Sequence, residues 1–421
     1  MQSALTAALS AAIAVIVLPL FAAQSLSVPI AASFGLTESA AGLIAMMPML
    51  GYTAGLVLLV PLIDIFRMRS VMLTTLLTGT LALAAAAYSP SATLFLLSAF
   101  IVGLTTSATQ MVVPLAAGLA EPAARGRVIG KVMSGLMIGV LLSRPSANLS
   151  ASLFGWRGAY LADAAALAVV CLACALIVPA RSQSSRLSFL ELVSSLWIVL
   201  RSEPVLQRRA ACQALCMGAF GAFWTGVPLL LAAPPFGLGQ IGIGAFALAG
   251  IGGAIVAPVA GWAADRRLDE TATRLAHLCV IAGSGLALIF GADRLGFDPA
   301  MHRGTALLLL VLAAVIVDLG VIGDQTLGRH AVNSLRPEIR GRLNGLYTGL
   351  FFLGGAAGSA LAGVAWTHDG WAAVCALCVG FGLAALALGW ITSRQRIRRD
   401  AGVPAEATPA RPDVRRIESR F

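Results

Sequence analysis

The chain has 421 residues, of which 58% are hydrophobic and 11% charged, and its formal net charge is +10. Soluble domains carry roughly 25% charged residues, so this composition excludes an ordinary water-soluble fold and points to the bilayer as solvent. The basic residues sit in short loops and at the C-terminus rather than among aromatics on one face, which argues against a nucleic-acid partner and for orientation in a membrane.

A spanning helix needs about 20 mostly apolar residues. Taken in chain order, such runs fall near 8–30, 39–62, 70–89, 92–118, 128–152 and 158–180, and again near 209–232, 240–263, 272–292, 304–326, 343–365 and 370–392. The first has no basic stretch before it and is long enough to span, so it reads as a helix rather than a signal peptide. The runs are rich in Ala, Leu and Gly and do not alternate, which excludes a β-barrel. The expected fold is an all-α integral membrane protein of 12 transmembrane helices. The expected units are a six-helix bundle over 1–180, a linker over 181–208, a second six-helix bundle over 209–392 and a basic, disordered tail over 393–421. Within the linker, 187–200 is amphipathic and should lie as a helix on the membrane surface.

If the N-terminus is cytoplasmic, 25 of the 29 Lys and Arg residues fall on the cytoplasmic side. Arg157, Arg294 and Arg303 lie outside, and Arg144 is left within a helix. That asymmetry predicts a multi-pass plasma-membrane protein with both termini in the cytoplasm. The short loops and the Ala/Gly/Arg-rich composition point to a bacterial inner membrane.

The two sets of six runs repeat one another. Around residue 125 the chain reads AEPAARGRVIG, and 215 residues later it reads LRPEIRGRLNG, so Arg125, Gly126, Arg127 and Gly130 match Arg340, Gly341, Arg342 and Gly345. At the same offset Gly155-Trp156 meets Gly370-Trp371, and Gln110 meets Gln325. Earlier in each half, Phe34-Gly35-Leu36 matches Phe236-Gly237-Leu238, and Asp64 matches Asp265. An ordered series of matches means a duplicated unit. Each unit holds an even number of spans, so the copies insert in parallel, related by a pseudo-two-fold axis along the membrane normal.

With these features the chain resembles the major facilitator superfamily, up to about Ile391. Gly261-Trp262-Ala263-Ala264-Asp265-Arg266-Arg267 is similar to the family's G-x-x-x-D-R loop signature, which is implicated in gating. The first-half counterpart keeps Asp64, Arg67 and Arg69 but has Val60 in place of the leading Gly. Gly155-Trp156-Arg157 resembles the drug:proton antiporter branch. Helix five departs from that branch's G-x-x-x-G-P pattern, keeping Gly139 but reading Ser143-Arg144-Pro145. The Arg often found in helix four of that branch is Ala99 here.

Ionisable groups inside spans mark solute paths or buried pairs. Arg144 in helix five is the sharpest candidate for holding an anionic group, and Asp163 in helix six is a candidate partner for it. Asp318 in helix ten is the candidate proton carrier or substrate contact, and Asp324 near the inner end of that helix is a weaker one. The resemblance places Gln24, Gln110, Gln325, Trp224 and Thr225 on helices that line the central cavity. Asp64 and Asp265 are expected to latch against the arginines that follow them.

No catalytic, metalloprotease or P-loop motif is present, so neither an enzyme nor an ATP-driven pump is indicated. Cys171-x-x-Cys174 and Cys375-x-x-Cys378 lie in apolar runs without a nearby ligand histidine, and His277, His302, His330 and His368 are scattered near helix ends. No metal site or cofactor is expected. The leading expectation is a monomeric secondary transporter that moves small organic molecules by alternating access, drawing on the proton gradient for efflux. A sugar or nutrient carrier and a non-transporting membrane sensor are the alternatives.

Overall fold

In apolar solvent every backbone N–H and C=O must be satisfied within the chain, so long apolar runs fold as helices. The computed structural model describes residues 2–121, 124–178, 189–266, 268–292 and 296–400. Among them are ten helices long and apolar enough to cross a membrane. Two of the ten, Arg125–Ile177 and Arg340–Ile391, exceed 50 residues, and each turns back on itself. The turns are at Gly155, with φ 70°, and at Asp369–Gly370, where Gly370 has φ 55°. The described residues therefore form twelve crossing helices.

Helices one to four are Gln2–Ser25, Ala40–Leu58, Met68–Ala87 and Ala92–Leu119. Five and six are the two arms of Arg125–Ile177. Seven to ten are Pro204–Ala232, Gln240–Asp265, Asp269–Gly291 and Arg303–Asn333. Eleven and twelve are the two arms of Arg340–Asp400. The amphipathic linker segment forms a helix, Phe189–Ser202, that buries Leu192, Ser195 and Val199 and exposes Leu190 and Trp197. One expectation fails: the tail was to be disordered from residue 393, yet the helix continues to Asp400. Its backbone carries the helical ladder past the last apolar turn. The rest of the tail, residues 179–188 of the linker, Arg267 and Arg294 lie outside the described residues.

The repeated motifs have a backbone reason. Gly35 and Gly237 have φ of 62° and 52°, as Gly155 and Gly370 do at their turns. Side chains strain this left-handed region, so glycine recurs at matching bends of both halves. The Trp that follows each turn packs inward. Trp156 stacks with Phe34, Phe95 and Tyr160, and Trp371 donates Nε1 to the Ala287 carbonyl at 2.9 Å. Arg157 lies over Trp156 and donates to the Ala87 and Ser89 carbonyls. Gly155-Trp156-Arg157 is thus a turn that closes its own bundle.

Within each half the same pairs meet. Helices one and five touch as seven and eleven do, and two and four as eight and ten do. Between halves, two meets eleven and five meets eight, which the pseudo-two-fold interchanges. On the face opposite the N-terminus, Gly42 lies against the Ser359 and Ala360 carbonyls. A Cβ at Gly42 would come within 2.6 Å of the Ser359 oxygen, so only glycine permits this approach. Nearby, Trp366 donates Nε1 to Glu38 at 2.5 Å. Nearer the N-terminal face the same helices stay joined, with Thr53 donating to the Gly349 carbonyl at 3.2 Å.

Candidate functional site

Between the halves, midway through the bundle, Arg144 is 5% exposed and Asp318 3% exposed. Buried charge in a membrane protein needs compensation, because desolvation is expensive. Arg144 receives it from two sides. Its Nη2 and Nε both donate to Gln24 Oε1, at 2.8 and 3.3 Å. Its guanidinium carbon lies 4.4 Å from the centre of the Trp224 ring, 5.0 Å from Phe21 and 5.1 Å from Phe220. Aromatic faces attract such a cation, more strongly when water is excluded.

Asp318 joins this cluster through the same tryptophan. Trp224 Nε1 donates to Asp318 Oδ1 at 2.9 Å, so one indole offers its face to the cation and its edge to the anion. Arg144 and Asp318 interact electrostatically without forming an ion pair within 4.0 Å. Gly250 of helix eight passes the second carboxylate oxygen, where a Cβ would lie 3.3 Å from it.

Gln24 binds the two halves together. Its Nε2 donates to Thr225 Oγ1 and to the Gly221 carbonyl, both at 3.3 Å. The first half thus contributes Phe21, Gln24 and Arg144, and the second Phe220, Trp224, Thr225 and Asp318. Helix five is held to helix one behind the cluster: Ser143 donates to the Leu18 carbonyl, and Asn148 to Ser25. These contacts fix the Ser143-Arg144-Pro145 segment whose sequence departs from the antiporter pattern.

Four of the nine residues expected to contact substrate or protons (Gln24, Arg144, Trp224 and Asp318) meet directly, and Thr225 completes the set through Gln24. The expected Arg144–Asp163 pair is not formed. Asp163 sits half-buried on helix six near Tyr160, and helix five turns Arg144 instead toward helices one and seven. Gln110 lies outside the cluster and donates to the Tyr52 hydroxyl at 3.0 Å. Gln325 is half-buried, and its backbone carbonyl accepts from Tyr347 at 3.2 Å. Asp324, the weaker candidate near the inner end of helix ten, lies outside the cluster and is 1% exposed, because helix nine covers it with His277.

The gating segments differ from their expected pairing as well. Asp64 is exposed and interacts electrostatically with Arg342 of the other half, not with Arg67 or Arg69. Arg67 is the residue that precedes helix three and makes no side-chain cap, and Arg69 donates to the Ala175 carbonyl at 2.6 Å. Arg266 lies over the Trp262 ring, 4.4 Å from its centre, and Asp265 makes no ion pair with a described residue. Gly261 is half-buried with open space around it, and Arg267 is outside the described residues.

Sequence reasoning missed Phe21 and Phe220. Phe21 precedes Gln24 by three residues and Phe220 precedes Trp224 by four, so helical spacing puts each on the face of a residue already singled out.

The model of the family described as Major Facilitator Superfamily matches residues 3–327. The chain belongs to that superfamily. Among its relatives, the putative uncharacterized transporter YgaY of Escherichia coli (strain K12) is 35% identical over 368 residues, covering 87% of this chain and 90% of its own length. Two solved structures share the superfamily fold. One is the nucleoside transporter NupG, with a TM-score of 0.70 and 16% identity, covering 93% of this chain and 99% of that one. The other is a bacterial homolog of the human lysosomal transporter Spinster in an inward-facing, occupied conformation. Its TM-score is 0.71 at 13% identity, and the match covers 97% of this chain and 99% of that one. The chain is a membrane transporter of this superfamily, not an enzyme, and its two six-helix bundles are the superfamily's architecture.

Proposed function

We propose that the chain is a secondary transporter that exports small organic molecules in exchange for protons. The observation that carries this reading is the Arg144–Trp224–Asp318 cluster, buried between two halves that alternating access must separate. While the cluster is closed, Trp224 donates to the Asp318 carboxylate and holds Arg144 over its ring. Separation moves Arg144 away with the first half, and the carboxylate then takes up a proton or a cationic group from the opened side. Proton and solute compete for one place, which is the requirement for exchange. Export follows the resemblance to the antiporter branch, and Ala99 in helix four leaves proton transfer to Asp318.

The N-terminal face lies in the cytoplasm of a bacterial cell, an orientation that the Lys and Arg asymmetry supports, and the helix two–eleven contact at Gly42 closes the outer side. The units 1–180 and 209–392 rock about the linker over 181–208. Both halves lie in one chain, so a monomer suffices. The Asp64–Arg342 attraction acts when the cytoplasmic ends are together and weakens as they part.

The test is proton flux in proteoliposomes, read with a pH-sensitive dye, on adding lipophilic cations, sugars and organic anions. One class should drive proton movement in the wild type. Asp318→Asn should lose it and should also exchange labelled solute for unlabelled far more slowly. Equal solute uptake by both proteins with no proton movement would overturn the coupling and leave a facilitative carrier centred on Arg144.

A further inference from the structure

A second buried polar group lies wholly inside the second half, toward the N-terminal face. Cys216 of helix seven, His277 of helix nine and Asp324 of helix ten are all buried. One donor atom from each lies within 4.8 Å of the other two. His277 Nε2 stands 3.4 Å from Asp324 Oδ1. Yet neither ring nitrogen of His277 has a hydrogen-bond partner, and the Asp324 carboxylate meets only the Cys216 side chain in that way. Leaving such atoms dry and unpaired is costly, so a convergent set of them asks for an occupant.

The neighbouring cation does not answer it. Arg209 reaches Asp324 only at 4.0 Å, and its shorter contact is the hydrogen bond to Thr273 Oγ1 at 2.8 Å. On helix seven, one turn before Cys216, Gln213 also leaves its Oε1 without a partner.

The geometry points to a binding site for a divalent transition metal of the zinc class, held by Cys216, His277 and Asp324. Thiolate, imidazole and carboxylate together form a zinc-type donor set, whereas calcium and magnesium take oxygen ligands. Donors around a tetrahedral zinc stand about 3.5 Å apart, so small side-chain rotations bring the three inward. On binding, the Cys216 thiol gives up its proton to solvent and its sulfur bonds the metal. Thiolate and carboxylate then neutralise the dication, which suits the interior. Arg209 also reaches the partly exposed Asp269 at 4.0 Å, marking a polar route from the N-terminal face. All three ligands belong to one half, so the metal joins helices seven, nine and ten and survives the parting of the halves.

The test uses the full chain, untagged and purified in detergent, stripped with EDTA and titrated with Co2+ as a spectroscopic stand-in for Zn2+. One cobalt per chain should bind with a thiolate-to-cobalt charge-transfer band that Zn2+ quenches. Cys216→Ser should lose the band, and Cys375→Ser, on helix twelve, should keep it. Absence of a band in the wild type, or its persistence in Cys216→Ser, overturns the proposal. If Cys216→Ser does not fold, the wild type decides alone. Zn2+ should slow alkylation of Cys216, mapped by mass spectrometry during partial unfolding, and raise the melting temperature. Unchanged alkylation of Cys216 overturns the site. Neither readout depends on transport.

Discussion

The Arg144–Trp224–Asp318 cluster and the Cys216–His277–Asp324 group are both buried, both polar and both rooted on helix seven, but they are finished differently. In the first, Arg144 is met by an amide and three rings, and Asp318 by an indole N–H. In the second, both ring nitrogens of His277 go without a hydrogen bond, and the Asp324 carboxylate meets only the Cys216 side chain. The first crosses the boundary between halves, and the second stays inside one. A boundary that opens must be held by contacts that can be exchanged, and stacked rings with amide hydrogen bonds are such contacts. A group within one half has no such demand, and its unmet valences call for a permanent occupant.

This contrast is sharpest where charge is removed from the boundary. Arg144→Leu leaves Asp318 buried without its cation, a loss worth about 3–5 kcal/mol, so transport should fall by roughly 100-fold or more. Solute exchange in proteoliposomes measures it, and near-normal exchange would show that the central cluster is only structural. Trp224→Phe keeps a ring face for Arg144 but removes the N–H that holds Asp318. Losing a hydrogen bond to a charged group costs about 1.5–3 kcal/mol, so exchange should drop about tenfold. An unchanged rate would mean that Asp318 is positioned by something else.

The smallest effect separates boundary from interior by packing. Gly42→Ala pushes a methyl group against the Ser359 and Ala360 carbonyls across the two halves. A strain of about 1 kcal/mol there can be relieved by parting the halves, shifting the population roughly fivefold toward the state open on that face. Spin labels at Thr37→Cys and Thr367→Cys should report a longer distance. Gly358 packs more tightly still against the Gly218 carbonyl, but inside the second half. Gly358→Ala should therefore lower the melting temperature without changing that distance. Matching responses from the two glycines would erase the distinction between boundary and interior.

Much of the architecture was legible because it is written in periodic and repeated signals. Apolar runs marked the crossings, and the matched glycines at 35 and 237 and at 155 and 370 marked bends that need positive φ in both halves. Arg144 and Asp318 were legible because a charge inside an apolar run stands out. Their true partners were not, since pairing between helices depends on helix rotation. Asp163 was chosen as a partner by depth along the helix, while rotation decided for Trp224 and Gln24. His277 read as a helix-end residue because its apolar run began near residue 272. The helix starts at Asp269, so His277 is two turns in and buried. Cys216, His277 and Asp324 come from three separate helices with no common spacing, so no local motif could have gathered them.

The side-chain amide of Gln24 has a consequence for how a solute is taken up. Its oxygen serves Arg144 within the first half, and its nitrogen serves Thr225 and Gly221 in the second. When the halves part, the oxygen side stays intact, as does the Trp224–Asp318 bond within the second half. The protein then presents two preassembled hemisites facing across water, one cationic and one anionic, each with its geometry already set. In the exchange proposed above, a solute able to touch both would replace the severed Gln24 bonds and stacking contacts, and so act as the missing link that draws the molecule shut around it.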